Sequence, residues 1–406
     1  MLPIHDLPTS EIDRIRVACA YLFSPEHSKD DHFLKQLKGE RVKQAFREKA
    51  KRYHPDLHSH ESPQMVEKRK ERFVQIRASY ETLSQYFCEK PAVSPGAQRV
   101  RRPILIAVGG AKGGIGKSVF STNLGVLLSQ MGNKTILVDL DLGGANLHLH
   151  LGETSIPRTI NDFLSQRASS LKEIVVTTKY GPSLIGGDSS QLGIANIGFS
   201  LKLKLLRSIR MIDADYVVLD LGSGTSFNTI DFFLAADHGL VLTTCDPSAY
   251  LNAYTFVVVS VIRKLNRLFR SESNPVNEKD EEIIRLIEEA TLSRNGKRVK
   301  TVSQLLERVK KEQPGHLASI KRTLEKFRPY LVANMVESES DATPMVERIE
   351  KAAKRMLSVD VGYLGALPYH PEIKSSTREL VPAVAKSPRG NLARFMGNLV
   401  RNLDLS

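Results

Sequence analysis

The stretch "ILIAVGGAKGGIGKS" occupies residues 104–118 and joins a short apolar run to a glycine-rich turn. Residues 119–132, "VFSTNLGVLLSQMG", follow with apolar side chains at helical spacing and end in a glycine. Residues 135–141, "TILVDLD", form a second apolar run. This succession of strand, glycine-rich turn, helix and strand is the pattern of a βαβ unit, which requires a parallel sheet.

Further apolar runs of strand length continue this pattern along the chain. They occupy residues 183–187, 216–222, 239–244, 330–336 and 361–368. Runs of this kind, separated by helix-like segments, indicate strands that are buried on both faces. The predicted fold class is therefore α/β: a doubly wound, mostly parallel sheet with helices on both faces, preceded by a small all-α domain.

The composition is that of an ordinary soluble protein, with 41% hydrophobic and 25% charged residues in a chain of 406. The three cysteines, Cys19, Cys88 and Cys245, form no CxxC pair, which argues against a disulfide framework and against a cysteine-bound metal cluster. The N-terminus carries acids and prolines where a signal peptide needs an apolar segment, and no apolar run reaches the length of a membrane span. These features predict a cytoplasmic protein.

The net charge of +13 is unevenly distributed. Residues 262–330 hold 17 Lys and Arg against 10 Asp and Glu, whereas residues 104–261 and 331–406 together balance at 21 against 21. A basic cluster of this kind favours an acidic partner such as nucleic acid, membrane lipid or an acidic protein. A solvated charged helix surface is the alternative.

The glycine-rich turn departs from the standard phosphate-binding loop, G-x-x-x-x-G-K-[ST], at one position. When its end is aligned on Gly116, Lys117 and Ser118, its first glycine falls on Ala111. Small residues still let backbone N–H groups converge on a polyphosphate, and the next helix directs its positive end there. We therefore predict a nucleotide site rather than a structural turn, formed by Gly113, Gly114, Ile115, Gly116, Lys117, Ser118 and Val119.

The segment "KGGIGKS" (112–118) contains one lysine more than such a loop needs. It resembles the deviant Walker A motif of the MinD/ParA class of P-loop ATPases, and the resemblance extends over residues 104–261 and 331–406. It implies a SIMIBI-type P-loop NTPase fold, ATP and Mg²⁺ as cofactors, and an ATP-dependent homodimer. In that family the early lysine, here Lys112, reaches across the dimer interface to the partner's ATP. A solvent-facing loop lysine is the alternative.

Two acidic segments resemble the nucleotide switches of the same family. "VDLDLGGANLHLHLG" (138–152) is similar to switch I, with Asp141 where the family orients the attacking water. The resemblance thus implies catalytic roles for Lys112, Lys117 and Asp141. "YVVLDLGSG" (216–224) is similar to the Walker B strand and switch II, which implies that Ser118 and Asp220 hold Mg²⁺. Helix-capping carboxylates are the alternative for both acids.

The base-binding positions of the family also have counterparts. "VANMV" (332–336) places Asn334 at the position of the adenine-reading asparagine, and "GALPYHPEI" (365–373) places Pro368 near the base. His370 stands where many relatives have an acid, so the chain departs from the family pattern in this loop.

The N-terminal segment carries a second resemblance. Residues 42–60 contain an amphipathic basic helix that ends at His54-Pro55-Asp56, and residues 71–87 contain a second amphipathic helix. This arrangement is similar to helices II and III of a J-domain with its HPD tripeptide, which implies an Hsp70 partner. The first helix lacks the usual Tyr-x-x-Leu-Gly, so a docking module without Hsp70 activity is the alternative.

The domain organisation follows from these segments. We expect a J-like helical domain at 1–90, a Pro, Gly and Arg-rich linker at 91–103, and an ATPase domain at 104–406 with a helical insertion at 271–329. The apolar stripe in the C-terminal stretch 391–403 fits either a core helix or, with its flanking arginines, a membrane-binding tail.

The combined interpretation is an ATP-driven dimerising switch that positions or recruits a cargo, with a cell-pole, division-site, flagellar or DNA-partition role. The output could act at the inner membrane or the nucleoid, with the basic insertion as the surface that reads DNA or another acidic matrix. The rival hypotheses are an Hsp70 co-chaperone whose ATPase domain delivers clients and a DNA-bound partition ATPase. The missing CxxC argues against a metal-cluster carrier.

Overall fold

The computed structural model describes residues 9–53, 63–87, 102–188, 197–269, 282–287 and 302–403. The chain divides into two units, Met1–Arg99 with Phe269–Ile284 and Val100–Leu268 with Arg285–Ser406. Within the described residues no helix is both long enough and apolar enough to span a membrane.

The N-terminal unit is helical in its described part. Its helices are α1 (Thr9–Leu22), α2 (Pro25–Lys29), α3 (Asp31–Gln36), α4 (Gly39–Tyr53) and α5 (Pro63–Phe87). The predicted apolar faces of α4 and α5 meet in one core, which buries Val42, Ile76 and Leu83 together with Ile15 and Leu22 of α1. Phe46 and Tyr80 stack across the α4–α5 pair with ring centroids 4.3 Å apart.

The main unit contains an eight-stranded sheet in the order β3-β4-β2-β5-β1-β6-β7-β8. Its strands are β1 (Ile104–Gly109), β2 (Thr135–Leu140), β3 (Val176–Thr177), β4 (Ser183–Ile185), β5 (Tyr216–Leu221), β6 (His238–Thr243), β7 (Tyr330–Val336) and β8 (Gly362–Pro368). All neighbouring pairs are parallel except β3–β4. Seven strands follow the predicted apolar runs, and the two-residue edge strand β3 was not predicted.

Helices connect these strands. They are α6 (Lys117–Gln130), α7 (Leu147–His150), α8 (Ile160–Leu164), α9 (Phe199–Ile209), α10 (Phe227–Ala235), α11 (Pro247–Phe269), α12 (282–287), α13 (Val302–Glu312), α14 (Pro314–Glu325), α15 (Glu339–Ala352), α16 (Pro371–Glu379), α17 (Ala383–Lys386) and α18 (Asn391–Asn402). A 3₁₀ turn (Leu171–Ile174) and a π turn (Ala353–Leu357) complete the described elements.

Alternate residues of β1 show that helices cover both faces of the sheet, as predicted. Ile106 and Val108 join the core formed with α6 and α18. Gly109 points the other way, where an added Cβ would lie 2.9 Å from the Phe256 ring of α11 and 3.3 Å from Phe233 of α10. Because both faces are covered, the strands carry continuous apolar runs.

The C-terminal helix α18 belongs to the core on the α6 face. Leu392, Met396, Leu399 and Val400 are buried in the same cluster as residues of the sheet and α6. Of the two interpretations of this stripe, the structure supports a core helix.

The described part of the expected insertion contains the short helix α12 and, after a gap, two consecutive helices, α13 and α14. Val302, Leu305 and Val309 form the buried stripe of α13, and Ile320 and Leu324 form that of α14. The Ser303 hydroxyl anchors α13 by donating to the backbone oxygen of Arg355, at 2.9 Å. The opposite faces of both helices carry charged side chains.

Candidate active site

The glycine-rich turn lies between β1 and α6, at the carboxyl edge of the sheet. Gly116 precedes the helix as its N-cap with φ 84°, a conformation that favours glycine. A Cβ at Gly116 would also stand 2.6 Å from Nδ2 of Asn334, so the site leaves no room for one. Ile115 is buried and fixes the loop against the core. In the sequence "GIG", Gly116 thus allows a left-handed backbone and the close approach of Asn334, and Ile115 anchors the loop in the core.

Lys117 is the buried lysine of the site. Its Nζ donates to the backbone oxygen of Lys112 at 3.3 Å. Burial lowers the pKa of Lys117, while the nearby carboxylates of Asp220 and Asp141 oppose that shift. The ammonium group thus lies inside the loop, beside two acids at the ends of neighbouring strands.

Asp220 is the next-to-last residue of β5, a strand that is buried throughout, and is 1% exposed. Its Oδ1 accepts a hydrogen bond of 2.7 Å from the Ser121 hydroxyl, and the Ser118 hydroxyl bonds the same carboxylate. Burial raises the pKa of Asp220 to about 6, although these hydroxyls and Lys117 pull it down. Mg²⁺ prefers oxygen ligands and needs few from the protein, so the Ser118 hydroxyl and the Asp220 carboxylate fit it.

Asp139 lies beside Asp220 in the register of β2 and β5. Its two carboxylate oxygens accept hydrogen bonds from the backbone N–H groups of Asp141, at 3.1 Å, and Leu147, at 3.0 Å. Burial and the neighbouring Asp220 raise the pKa of Asp139 to about 7. Asp139 therefore closes the loop 140–147 on itself, while Asp141 remains only half-buried.

The two predicted switch segments meet at Gly222. A Cβ on Gly222 would lie 2.8 Å from Oδ1 of Asp141, so the Asp141 carboxylate rests against the backbone after β5. The same segment reaches the phosphate loop, because the N–H of Gly224 donates to the backbone oxygen of Ala111 at 3.0 Å. The segment after β5 therefore contacts both the loop that holds Asp141 and the phosphate loop.

A cavity of about 370 Å³ opens beside Gly116 and α6. Val119, Asn334 and Pro368 line it together with Phe120 and Met396. The sequence predicts Asn334 and Pro368 at the base end of the nucleotide. Asn334 donates from Nδ2 to the backbone oxygen of Ile115 at 2.8 Å. A shift of register between Asn334 and Val336, with Met335 at φ 57°, gives β7 a bulge at this point.

His370 also lines the cavity. Its Nδ1 is buried and has no hydrogen-bond partner among the described residues. The oxygen Oε2 of Glu372 is 3.7 Å away. The imidazole therefore presents an unused polar atom at the position where the sequence departs from the family pattern.

Lys112 lies at the outer side of the loop. Its Nζ donates to Oγ of Ser248, the second residue of α11, at 2.9 Å. The structure thus brings Lys117, Asp141 and Asp220 together, and it places Lys112 on a separate, exposed contact within the same chain.

Three contributing residues escaped the sequence analysis as site residues: Ser121, Asp139 and Ser248. The signal for Ser121 was its place one helical turn after Lys117 and Ser118, on the same face of α6. Asp139 alternates with Asp141, but only the β2–β5 register shows that it faces inward beside Asp220. Ser248 is 136 positions from Lys112, and no local pattern connects them.

The HPD residues His54, Pro55 and Asp56 lie outside the described residues. The helices α4 and α5 that flank them are described and pack against each other as a pair. The structure thus describes the packing of α4 and α5, while the role of the HPD tripeptide stays a prediction.

Two family models match this chain. Residues 106–383 match the CobQ/CobB/MinD/ParA nucleotide binding domain, and residues 34–86 match the DnaJ domain. The first match spans more than half of the chain. It includes the phosphate loop, both acidic segments, Asn334 and Pro368.

Several known proteins are similar to the chain. The antiactivator FleN of Pseudomonas aeruginosa is 22% identical over 302 residues, which cover 74% of this chain and 86% of that protein. The flagellum site-determining protein YlxH and the septum site-determining protein MinD, both of Helicobacter pylori, are 32% and 31% identical over 157 and 147 residues. These two alignments cover 38% and 36% of this chain and 53% and 54% of those proteins, so the chain spans about half of their length.

Among solved structures, the septum site-determining protein MinD of Pyrococcus horikoshii, complexed with Mg-ADP, is 20% identical, with a TM-score of 0.49. That comparison covers 74% of this chain and 96% of the other. The family-model match, which runs through every element of the site, shows that the chain belongs to the CobQ/CobB/MinD/ParA nucleotide-binding family, is an ATPase that uses ATP with Mg²⁺, and carries a DnaJ domain.

Proposed function

We propose that the protein is an ATP-dependent dimerising switch that positions or recruits a cellular cargo. The observation that carries this proposal is the separation of the two lysines. Lys117 is buried beside Asp220 and Asp141, and so can serve the chain's own phosphates, whereas Lys112 ends on an exposed serine at the surface. In this proposal Lys112 leaves that serine and serves a second chain's nucleotide.

In this mechanism the backbone N–H groups of residues 113–119 and Lys117 hold the phosphates. Ser118 and Asp220 would hold Mg²⁺, which would neutralise phosphate charge when bound. Asp141 orients the attacking water, and its contact with Gly222 makes the segment after β5 sensitive to the γ-phosphate. Asn334 and Pro368 bind the base at the cavity. Lys112 of each protomer binds across the interface.

The names of the relatives support a positioning output. FleN is named an antiactivator, YlxH a flagellum site-determining protein and MinD a septum site-determining protein. We propose a role of this kind, at a cell pole, division site, flagellum or partitioned DNA, in the cytoplasm at the inner membrane or nucleoid. We also propose that the ATPase domain spans 104–406, after a linker at 91–103, with the J-like domain at 1–90 and an insertion at 271–329.

The test of dimerisation is the mass of the protein in solution with ATP, with ADP and without nucleotide. We expect the mass to double only with ATP, and Lys112→Ala to remove the doubling. Lys351→Ala is the matched control, because Lys351 is an exposed lysine that pairs with Glu347 on α15. A parent protein whose mass never responds to ATP would contradict the proposal.

The helices α13 and α14 are the proposed surface for an acidic matrix. They and the segment after them expose cations that form no ion pair with a described residue: Lys310, Lys311, Lys321, Arg322, Lys326 and Arg328. No large apolar side chain is exposed between Val302 and Glu325, which favours DNA over a membrane, where apolar contacts accompany charge. Helix α14 leads into the amino end of β7, opposite the phosphate loop, so the surface stays free in a dimer joined through nucleotides.

The DNA test is binding to a labelled duplex at several salt concentrations. A Lys321→Ala/Arg322→Ala protein should bind more weakly, with a salt slope reduced by about 2, because each phosphate contact contributes about 0.9. Lys351→Ala should leave the slope unchanged. Equal slopes for all three proteins would exclude this surface.

A co-chaperone output is the second candidate, supported by the DnaJ-domain match and by the packed α4–α5 pair. In it, His54, Pro55 and Asp56 stimulate an Hsp70 ATPase. Asp56→Asn should then abolish function and Hsp70 stimulation while ATP-dependent dimerisation persists. A functional Asp56→Asn protein would exclude this output.

A further inference from the structure

The contact between Lys112 and Ser248 joins the phosphate loop to the first turn of α11. The ammonium nitrogen lies 2.9 Å from the serine hydroxyl, and the two residues are 136 positions apart. Ser248 is exposed and Lys112 is half-buried. The lysine that the proposed function assigns to a partner's nucleotide is therefore held inside its own chain.

The surroundings make this contact weak. The acceptor is a neutral hydroxyl at an exposed position, and the first turn of a 23-residue helix carries the positive end of its dipole. The carboxylate of Asp246, two residues before Ser248, accepts the Thr244 hydroxyl at 2.7 Å and forms no ion pair with Lys112 within the described part of the chain. A lysine held in this way is retained, yet it can leave when a stronger negative charge is offered.

We propose that Ser248 is an autoinhibitory latch, which holds Lys112 within its own chain and raises the ATP concentration and protein concentration needed for dimerisation. This inference rests on the proposed role of Lys112 in the dimer. In a symmetric dimer both protomers must release their lysine, so the factor by which the latch favours the held state enters the dimer dissociation constant twice. A latch factor of about threefold thus weakens the dimer by about tenfold.

The latch predicts that a variant which loses the Lys112–Ser248 contact forms a stronger dimer, not a weaker one. Ser248→Ala should strengthen dimerisation by about tenfold, because it frees Lys112 in both chains. Ser248→Asp should weaken it, because a carboxylate holds the ammonium group more firmly and also suits the helix N-terminus. Both changes are at an exposed position, so the fold should tolerate them.

The experiment measures the dimer dissociation constant by analytical ultracentrifugation of the full chain with the non-hydrolysable analogue AMPPNP and Mg²⁺. Thr255→Ala is the matched control, because Thr255 is an exposed hydroxyl residue on α11 whose side chain donates to the backbone oxygen of Leu251, one turn earlier in the same helix. We expect the dimer dissociation constant of Ser248→Ala to be lower than that of the parent. The constant of Thr255→Ala should equal the parent's, and that of Ser248→Asp should be higher. An unchanged or weaker Ser248→Ala dimer would overturn the latch.

Lys112→Ala separates this inference from the proposed function. If Lys112→Ala dimerises as well as the parent, the proposed role of Lys112 fails, and the latch fails with it. If Lys112→Ala loses the dimer while Ser248→Ala does not strengthen it, only the latch fails. If the latch is correct, Ser248→Ala and Ser248→Asp should be indistinguishable in the weak residual association of the Lys112→Ala background.

Discussion

Asn334 donates a hydrogen bond to the backbone oxygen of Ile115 at 2.8 Å, and this bond crosses directly over the position where a side chain on Gly116 would stand. Strand β7, more than 200 residues later in the chain, thus holds the phosphate loop in shape. The same side chain lines the cavity proposed for the base. One amide therefore joins the phosphate loop to the cavity that we propose for the base.

Gly116→Ala should weaken nucleotide binding by at least about tenfold, equivalent to about 1.4 kcal/mol. The new Cβ would stand 2.6 Å from Asn334 Nδ2 and would displace it from Ile115. Binding of a fluorescent ATP analogue measures the effect. Gly132→Ala is the control, because Gly132 has a similar φ of 89° but no atom within 4 Å of its Cβ position. Equal losses in both variants would mean that backbone strain alone is responsible.

Asp220→Asn should remove the Mg²⁺ dependence of ATP hydrolysis and lower the rate by about a hundredfold or more, because the variant lacks the carboxylate that we propose as a Mg²⁺ ligand. An amide oxygen can still accept the Ser121 hydrogen bond, so the fold should survive. The measurement is the ATPase rate as a function of Mg²⁺ concentration. Ser121→Ala should reduce the rate far less, and an Asp220→Asn enzyme with the parent's Mg²⁺ response would refute the assignment.

The nucleotide-free protein should lose stability as pH rises from about 4 to 7, between the pKa of Asp139 in the unfolded chain and its pKa in the folded protein. Burial and Asp220 raise the pKa of Asp139 from 3.8 to about 7, so the folded state binds this proton more tightly than the unfolded state does. Stability from such a group is complete below the unfolded pKa and disappears as pH passes the folded value. Asp139→Asn should flatten the dependence of the melting temperature on pH.

Asp213→Asn is the control for the pH experiment. Asp213 is exposed, and its hydrogen bond with Lys134 lowers its pKa, so it does not titrate in this range. ATP with Mg²⁺ should restore stability at pH 8, because the cation compensates the buried charges. Parallel curves for Asp139→Asn and the parent would show that another group titrates.

Asp231→Ala should destabilise the main unit by about 3–5 kcal/mol. Asp231 lies on α10, is 1% exposed and joins this helix to two others. It pairs with Lys202 of α9 at 2.5 Å and with Arg263 of α11 at 2.7 Å. Burial alone would raise its pKa, but the hydrogen bonds from Arg263 and Lys202 hold the pKa below its ordinary value. Removal of the carboxylate leaves these cations without their anion.

Urea unfolding measures this loss of free energy. Glu347→Ala is the control, because Glu347 pairs with Lys351 on an exposed helix face, where such pairs contribute at most about 1 kcal/mol. If both variants lose the same small amount, the Asp231 cluster does not stabilise the fold.

The sequence by itself determined seven of the eight described strands, the phosphate loop and the family. Apolar runs separated by amphipathic helices specify a parallel sheet because each strand must be buried on both faces, and the loop between β1 and α6 carries its residue types in a fixed order. The resemblance to the MinD/ParA class also pointed to Lys117, Ser118, Asp141 and Asp220, which stay predicted site residues; the structure places both acids near Lys117 and the Ser118 hydroxyl on the Asp220 carboxylate. The α4–α5 pair was predictable because its apolar positions repeat with the helical period.

Only the tertiary structure decided which distant side chains share a contact. Strand register places Asp139 beside Asp220, the bulge of β7 directs Asn334 to Ile115, and the start of α11 receives Lys112 through Ser248. It also assigned the C-terminal stripe to the core, because burial against α6 and the sheet distinguishes a packed helix from a membrane-binding one with the same periodicity. Periodicity reports which face of an element is apolar, and the three-dimensional arrangement of the elements decides what that face meets.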